Sequence, residues 1–582
     1  MLFGKHVNKY YKKYGVLMLL GVIVLLIVDY ISTKIPRKFS EIIDSFESSA
    51  MTIEKLNGFL LSFLVLVAIM AVGRMMWRFF LIGTSRGIQH DMRKQLFSHA
   101  TSLDQPYYQT HKVGAVMAYF SNDLEAIRHS FGRGLLLILD GIFMSTIIII
   151  RMLEMDYKLT LISTIPMFFL GVTAFFIIKK MRLIFRTRQD SFQKMNEFTQ
   201  ESFSGIQVIK AFVREAKEAF LFKERSEDFY NKHMDYVRTM VWVQIVINIF
   251  INLTAITIIV FGAYTAITNP ANFSAGNLTE FFSLFGMLIW PVMAITQFAN
   301  LRSQASASYS RVAEFLDSKS LLVDGETEIE IKGAISFNNL TFAYPDEPEI
   351  EVLKDVSFEI EAGEFVGVLG RTGSGKTTLV DLLLRIYNVD PKMILVDGVD
   401  IMELKIKAVR DGIAYVPQDN FLYSTTIKEN ISFSSKDIKD DEIIKAAQLA
   451  DIYDNVIEFK EGFETILGER GTTVSGGQKQ RISIARALVK EAPVLVFDDS
   501  VSAVDTDTEE TILTNLKKTR KGKTTIIIAH RISTVRNLDK IVLLDKGKLS
   551  AVGSHQELMK TSELYRDLVK RQTLESVVSG DA

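Results

Sequence analysis

Gly370-Arg371-Thr372-Gly373-Ser374-Gly375-Lys376-Thr377 fits G-x-x-x-x-G-K-[ST], and the apolar run Phe365-Val366-Gly367-Val368-Leu369 stands directly before it. In such a loop successive backbone N–H groups turn toward one anion. Lys376 adds a point charge for the β- and γ-phosphates, and a helix starting near Thr377 offers its positive dipole end. Thr377 would hold Mg²⁺ through its hydroxyl, with Thr378 beside it in the same turn. Val494-Leu495-Val496-Phe497-Asp498 reads as a buried strand that ends in a carboxylate, parallel to and beside the strand of the glycine loop. Asp498 would then reach Mg²⁺ through water. Tyr344, in Ala343-Tyr344-Pro345, could stack on adenine, an interaction worth about 1–3 kcal/mol.

Positioning these groups is the task of a long and uneven chain. At 582 residues it exceeds one core, so two or more domains are expected. A net charge of −1 singles out no charged partner, and the absence of cysteine excludes disulfides, Cys-ligated zinc and thiol nucleophiles. Mean hydropathy is +0.18, high for a soluble protein, and the apolar weight sits before residue 320. Six apolar segments lie there, at 14–34, 58–83, 135–153, 159–178, 241–267 and 278–299. Each runs to about 20 residues or more, enough to cross the bilayer as a helix. Lys5, Lys9, Lys12 and Lys13 precede the first, which reads as a retained anchor rather than a cleaved leader.

The links after segments 2 and 4 carry Arg86, Arg93, Lys94, Lys112, Arg128 and then Lys180, Arg182, Arg186, Lys210, Arg214, Lys217, whereas 268–277 has no Lys or Arg. That bias places both termini in the cytosol. Helical spacing in Phe198, Phe203, Ile206, Ile209 and Phe212 predicts helices that continue far beyond the bilayer, with tips at 105–114 and around Ser204-Gly205. After Phe315 the composition turns to alternating strand-like and polar segments. The expected domains are therefore an α-helical membrane domain over 1–319 and an α/β nucleotide-binding domain over 320–582.

Further motifs occur in a fixed order: Tyr415-Val416-Pro417-Gln418, Val474-Ser475-Gly476-Gly477-Gln478, Ser502-Ala503-Val504-Asp505 and Ile527-Ile528-Ala529-His530-Arg531. With the glycine loop and Asp498 they resemble the nucleotide-binding domain of ATP-binding cassette (ABC) proteins. Six membrane segments on the same chain make the whole resemble an ABC exporter half-transporter. The resemblance implies that Gln418 completes the Mg²⁺ shell and that His530 bonds the γ-phosphate. It also implies that Ser475, Gly476, Gly477 and Gln478 serve the ATP of an opposite subunit, across a seam that includes Asp505. Glu469-Arg470-Gly471 would touch the partner's helix tips.

One position departs from that pattern: Asp499 stands where the family's general base is Glu. A carboxylate retracted by one C–C bond is a weaker base, since a displacement near 1 Å can cost ~10² in rate. An intact signature beside a weakened base resembles the degenerate-site member of a bacterial heterodimeric multidrug exporter. The expected function is ATP-driven export of amphipathic small molecules across the plasma membrane. The expected partner is a second half-transporter bearing Glu, which performs the main hydrolysis. A lipid or lipopeptide flippase, a homodimeric drug exporter and, further off, a regulatory ATP-binding subunit are the alternatives. The membrane segments argue against a soluble ATPase acting on nucleic acid.

Within the membrane half, counting from the cytosolic ends puts Arg74, Arg78 and Asp140 at similar depth, so an Arg–Asp140 clamp is expected. Asp29 and Arg151 count toward the outer side. Asp29 either receives a cationic substrate or lies at the outer interface. Of the 21 methionines, 18 precede residue 320, Met70, Met76, Met144 and Met287 among them, and could re-pack around varied apolar guests. Gln244, Asn248 and Asn252 form an i, i+4, i+8 polar stripe.

Overall fold

The computed structural model describes residues 4–579 except 271, 436, 469–470 and 502–503, with the side chains of 174–175, 178–179, 296 and 575–579 also left aside. Glu469 and Arg470, expected at a partner's helix tips, and Ser502 and Ala503 of the seam motif lie outside the described residues. Two compact units are present: Met1–His99 with Gly114–Ser318, and Ala100–Val113 with Lys319–Ala582.

The membrane unit is built from α1 (Asn8–Ser32), α2 (Lys34–Glu47) and α3 (Ile53–Ser102), whose last three residues belong to the second unit. The short α4 (Gln105–Thr110) also belongs to that unit. α5 (Val113–Ala118), α6 (Leu124–His129) and α7 (Leu135–Met155) follow, joined through two π-helical turns. α8 (Tyr157–Ser204), α9 (Ile206–Ala211), α10 (Glu215–Thr268) and α11 (Ala275–Asp317) complete it. Among the described residues five runs are long and apolar enough to cross a membrane: Asn8–Glu47, Ile53–Ser102, Val113–Met155, Glu215–Thr268 and Ala275–Asp317. The remaining expected segment falls in the 48-residue α8, whose apolar start is Tyr157–Thr173.

Polar caps set the breaks between these helices. Asp156, in extended conformation, accepts from Leu159 N–H at 2.9 Å and starts α8, and Ser274 does the same for Asn277 N–H at 3.0 Å to start α11. α8 and α10 run side by side, and α11 packs along α7 and α2. At the α7–α11 crossing a Cβ on Gly141 would stand 3.3 Å from the carbonyl of Pro291, so only a small residue admits this approach. At the α1–α3 crossing a Cβ on Gly73 would stand 2.4 Å from Val28. An apolar cluster of Ile148, Met152, Leu159, Ile258, Phe281 and Leu284 ties α7, α8, α10 and α11 together.

The second unit contains two sheets. β1 (Ile335–Ala343), β2 (Glu351–Ile360), β4 (Ile394–Val396) and β5 (Val399–Asp400) form an antiparallel sheet in the order β2-β1-β4-β5. β3 (Phe365–Gly370), β6 (Ile413–Val416), β7 (Val494–Asp498), β8 (Thr524–Ala529), β9 (Lys540–Asp545) and β10 (Lys548–Gly553) form the other, in the order β10-β9-β3-β8-β7-β6. β3, β7 and β8 are buried along their whole length, as a parallel sheet covered on both faces requires. Successive residues feed two different cores, Val494 and Val496 one, Leu495 and Phe497 the other.

The strand order corrects one expectation. β7 is parallel to β3 but not beside it, because β8 lies between them and pairs with both. The residue after β8 is His530, so the intervening strand delivers the histidine between the glycine loop and the two aspartates.

Candidate functional site

The glycine loop leaves the buried end of β3 and runs into the helix Lys376–Leu383. A Cβ on Gly370 would sit 2.5 Å from both the carbonyl of Leu544 and Ser374 Oγ, and Gly375 has φ +92°. The loop therefore needs glycine at both places. Lys376 folds its ammonium onto the loop's own carbonyls, donating to Gly370 at 2.9 Å and Arg371 at 3.1 Å. Burial pulls its pKa below the usual lysine value, against the attraction of Asp499 and Asp498. Ser374 is almost fully buried and its hydroxyl has no partner among the described residues.

Thr377 Oγ1 donates to Asp498 Oδ1 at 3.2 Å, so the two expected metal ligands already face one point. Tyr415 donates to Asp498 Oδ2 at 3.4 Å. Burial pushes Asp498 above the ordinary carboxylate range despite these two bonds. Asp381, one helical turn beyond Thr377, is pushed up to about 6, first by burial and then by the charge of Asp498. Gln418 is exposed just beyond β6.

Asp499 itself has φ +46°, a left-handed conformation that Asp tolerates better than most residues, and its N–H donates to Ile528 O at 3.1 Å. Its Oδ2 stands 3.6 Å from His530 Nε2. Gln572 grips the histidine's loop from the far C-terminal helix Glu563–Ser579, donating to His530 O at 2.6 Å and accepting from Ile532 N–H at 2.7 Å. Leu369, Gly370, Arg371, Thr372, His530, Leu568 and Gln572 line a cavity of about 420 Å³ beside the loop. The guanidinium of Arg371 leans toward Asp567 at 4.0 Å.

Tyr344 bonds Thr378 through its hydroxyl at 2.8 Å and packs edge-on against Phe342 and Tyr387, a half-buried ring fixed from behind. Ser475 caps the helix Gly476–Leu488 in a reciprocal box with Gln478, at 3.0 and 3.2 Å. Gly476 and Gly477 meet nothing within 4 Å of where a Cβ would stand. Asp505 caps the helix Thr506–Thr519, its carboxyl held below the ordinary range by the N–H of Thr508, with Arg481 of the signature helix also contributing. The fold thus gathers Lys376, Thr377, Asp498, Asp499 and His530 at one point. Ser475–Gln478 and Asp505 spend their side chains on separate helix caps.

Sequence reasoning missed Asp381, Tyr415 and Gln572. The i, i+4 spacing from Thr377 was a usable signal for Asp381; nothing local marked Gln572. α4 is held within this unit as well. Asp104 accepts from Ser320 Oγ at 3.0 Å, and Tyr387 donates to Gln109 Oε1 at 2.7 Å.

Residues 18–292 match the family described as ABC transporter transmembrane region, and residues 353–502 the family described as ABC transporter. Over 581 residues the chain is 34% identical to YheI of Bacillus subtilis, named as a probable multidrug resistance ABC transporter ATP-binding/permease protein, with 99% of each chain covered. The chain belongs to the ABC transporter family. This ABC transporter is also 31% identical over 568 residues to the multidrug resistance-like ATP-binding protein MdlA of Escherichia coli, covering 96% of this chain and 95% of that one. Its fold is that of a bacterial Atm1-family ABC exporter solved with ATP bound (TM-score 0.77, 24% identity, 97% and 99% covered). It is therefore a multi-pass membrane protein with the ATP-binding domain of transport ATPases.

The loop suits a triphosphate: the buried Ser374 hydroxyl awaits an acceptor or donor, and Lys376 needs only to exchange carbonyls for phosphate oxygens. Thr377 and Asp498 suit Mg²⁺, which takes one or two protein ligands and fills its octahedron with phosphate and water.

In the membrane unit one expectation fails. No ion pair within 4 Å joins Arg74 or Arg78 to Asp140 among the described residues; instead Trp290 Nε1 donates to Asp140 Oδ2 at 2.7 Å. Asp29 is buried and its carboxyl faces that of Asp140. Arg151 is paired with the buried Glu280 at 2.9 Å. Gln244 donates to Asn248 along the exposed stripe of α10.

Proposed function

We propose that this chain is one half of an ATP-driven exporter of amphipathic small molecules in a plasma membrane, with both termini cytosolic. Its partner is a second half-transporter that carries Glu at the position corresponding to Asp499. The observation that carries the reading is Asp499, the shorter acid, on left-handed backbone with its carboxylate beside His530. In that position it is poorly placed to take a proton from water attacking a γ-phosphate.

In this reading Gly370, Arg371, Thr372, Gly373, Ser374, Gly375 and Lys376 cradle the β- and γ-phosphates, and Tyr344 supports the adenine. Thr377, Asp498 and Gln418 hold Mg²⁺, which neutralises phosphate charge when bound. Thr378 keeps Tyr344 in place through its hydroxyl. This chain binds ATP tightly there and hydrolyses it slowly. Ser475, Gly476, Gly477 and Gln478, with Asp505, complete the partner's site by offering the amides of a capped helix start. The exposed α9 supports a second half: none of its residues is buried, and Phe203, Phe212 and Val213 around it are 71–80% exposed. The multidrug names of the full-length relatives support the substrate class.

The test is ATPase rate and subunit composition of the chain in nanodiscs, alone and with candidate half-transporters. A silent chain that gains drug-stimulated turnover only with a Glu-bearing partner is the expected result. A rapid, drug-stimulated homodimer would overturn it.

A further inference from the structure

Tyr387 follows the glycine-loop helix Lys376–Leu383 and closes an aromatic trio with Phe342 and Tyr344. Its ring stands 5.2 Å from that of Tyr344 at 79° and 5.6 Å from that of Phe342, the edge-on geometry in which aromatic pairs attract. A ring that served packing alone would need no hydroxyl. Tyr387 is only 3% exposed, so its hydroxyl requires a partner within the fold. Among the described residues that partner is Gln109 Oε1, which accepts from it at 2.7 Å.

Gln109 belongs to α4, the six-residue helix that the chain places between α3 and α5. The start of α4 is pinned by Asp104, which accepts from Tyr107 N–H at 3.3 Å, from Ser320 Oγ at 3.0 Å and from Leu321 N–H. The rest of the helix is held more lightly. A cavity of about 270 Å³ lies between Tyr107, Gln109 and Thr110 on one side and Pro345 and Asp346, which follow Tyr344, on the other. The hydrogen bond from α4 toward the Tyr344 ring therefore runs through Tyr387. The phosphate cradle stands outside this link: Lys376 donates to Gly370 and Arg371, and neither Tyr387 nor Gln109 bonds the glycine loop among the described residues.

We propose that Tyr387 is a positioning residue for the nucleotide base: it holds Tyr344 in place and ties that ring to Gln109, so that base binding and the seat of α4 are linked. The inference rests on the reading of Tyr344 as the support of the adenine. Linkage of this kind is reciprocal, so a residue of α4 that alters affinity for the base is itself held more firmly when the base is bound. A triphosphate that lacks a base fills the glycine loop and leaves α4 as it was.

The experiment uses the full chain in nanodiscs, titrated by calorimetry with ATP and with inorganic tripolyphosphate in EDTA to prevent hydrolysis. Thermal melting checks the fold. Gln109→Leu strands the buried Tyr387 hydroxyl and weakens ATP about five- to tenfold, with tripolyphosphate unchanged. Adding Tyr387→Phe to Gln109→Leu restores most of that loss, because replacing both partners of a buried hydrogen bond costs less than replacing one. In the wild type, hydrogen exchange over residues 104–113 slows with ATP and not with tripolyphosphate. ATP affinity indifferent to Gln109→Leu, equal weakening of both ligands, no recovery with Tyr387→Phe, or equal protection of α4 by both ligands would each overturn the proposal. Tyr344→Ala keeps the two readings apart. ATP binding that survives it sinks the adenine reading itself, whereas ATP binding that is lost there but not with Gln109→Leu sinks this inference alone.

Discussion

Replacing Asp499 with Glu extends the carboxylate by one methylene at the position where hydrolysis needs a base. In the structure the aspartate's Oδ2 is 3.6 Å from His530 Nε2 and its backbone is left-handed at φ +46°. If retraction limits hydrolysis, restoring about 1 Å of reach returns up to ~10² in rate, about 2.7 kcal/mol of barrier. Glu is less at ease than Asp in left-handed backbone, and about 1 kcal/mol of added strain removes roughly a factor of five. The net expectation is a 10- to 20-fold rise in ATP turnover by the chain purified alone, with ATP affinity unchanged because Asp499 is not among the loop's phosphate donors. Phosphate release at saturating ATP in nanodiscs measures the first, and fluorescent nucleotide titration the second. In the assembled pair the same substitution changes total turnover far less than replacing the partner's Glu. A chain that is already fast before substitution, or one that slows with Glu, refutes the argument that geometry at residue 499 sets the rate.

Gln572→Ala removes two short hydrogen bonds to the loop around His530, so a fall in kcat with little change in ATP affinity is expected, with a loss near 1–2 kcal/mol in thermal denaturation. Asp381 has its pKa raised from 3.8 to about 6, so the folded state holds the proton more tightly than the unfolded state between those values. Stability is therefore greatest below pH 4 for this group and falls as pH rises through 6, by at most about 3 kcal/mol; Asp381→Asn should flatten that part of a melting-temperature profile. Glu280→Gln leaves Arg151, about one-third exposed, with the longer bond to Glu154 at 3.4 Å and should cost about 1–3 kcal/mol, read as faster thermal inactivation in detergent. Joint replacement by Arg151→Met and Glu280→Leu should recover most of that loss.

Sequence alone was sufficient where function needs a local pattern. The glycine loop, the strand ending at Asp498 and the capped start at Ser475 each depend on neighbours within about eight residues, and backbone sterics at such spacings admit few conformations. The long apolar runs were legible for a similar reason, since a bilayer demands consecutive apolar residues. What the tertiary structure decided were the contacts between residues far apart in the chain. Those include β8 inserted between β3 and β7, Gln572 reaching back 42 residues to His530, and Glu280 meeting Arg151 across 129 residues. Asp29 shows the same limit within the membrane, where its neighbours lie on other helices. Its partner Asp140 could be found only once the packing of α1 on α7 had brought two distant turns face to face.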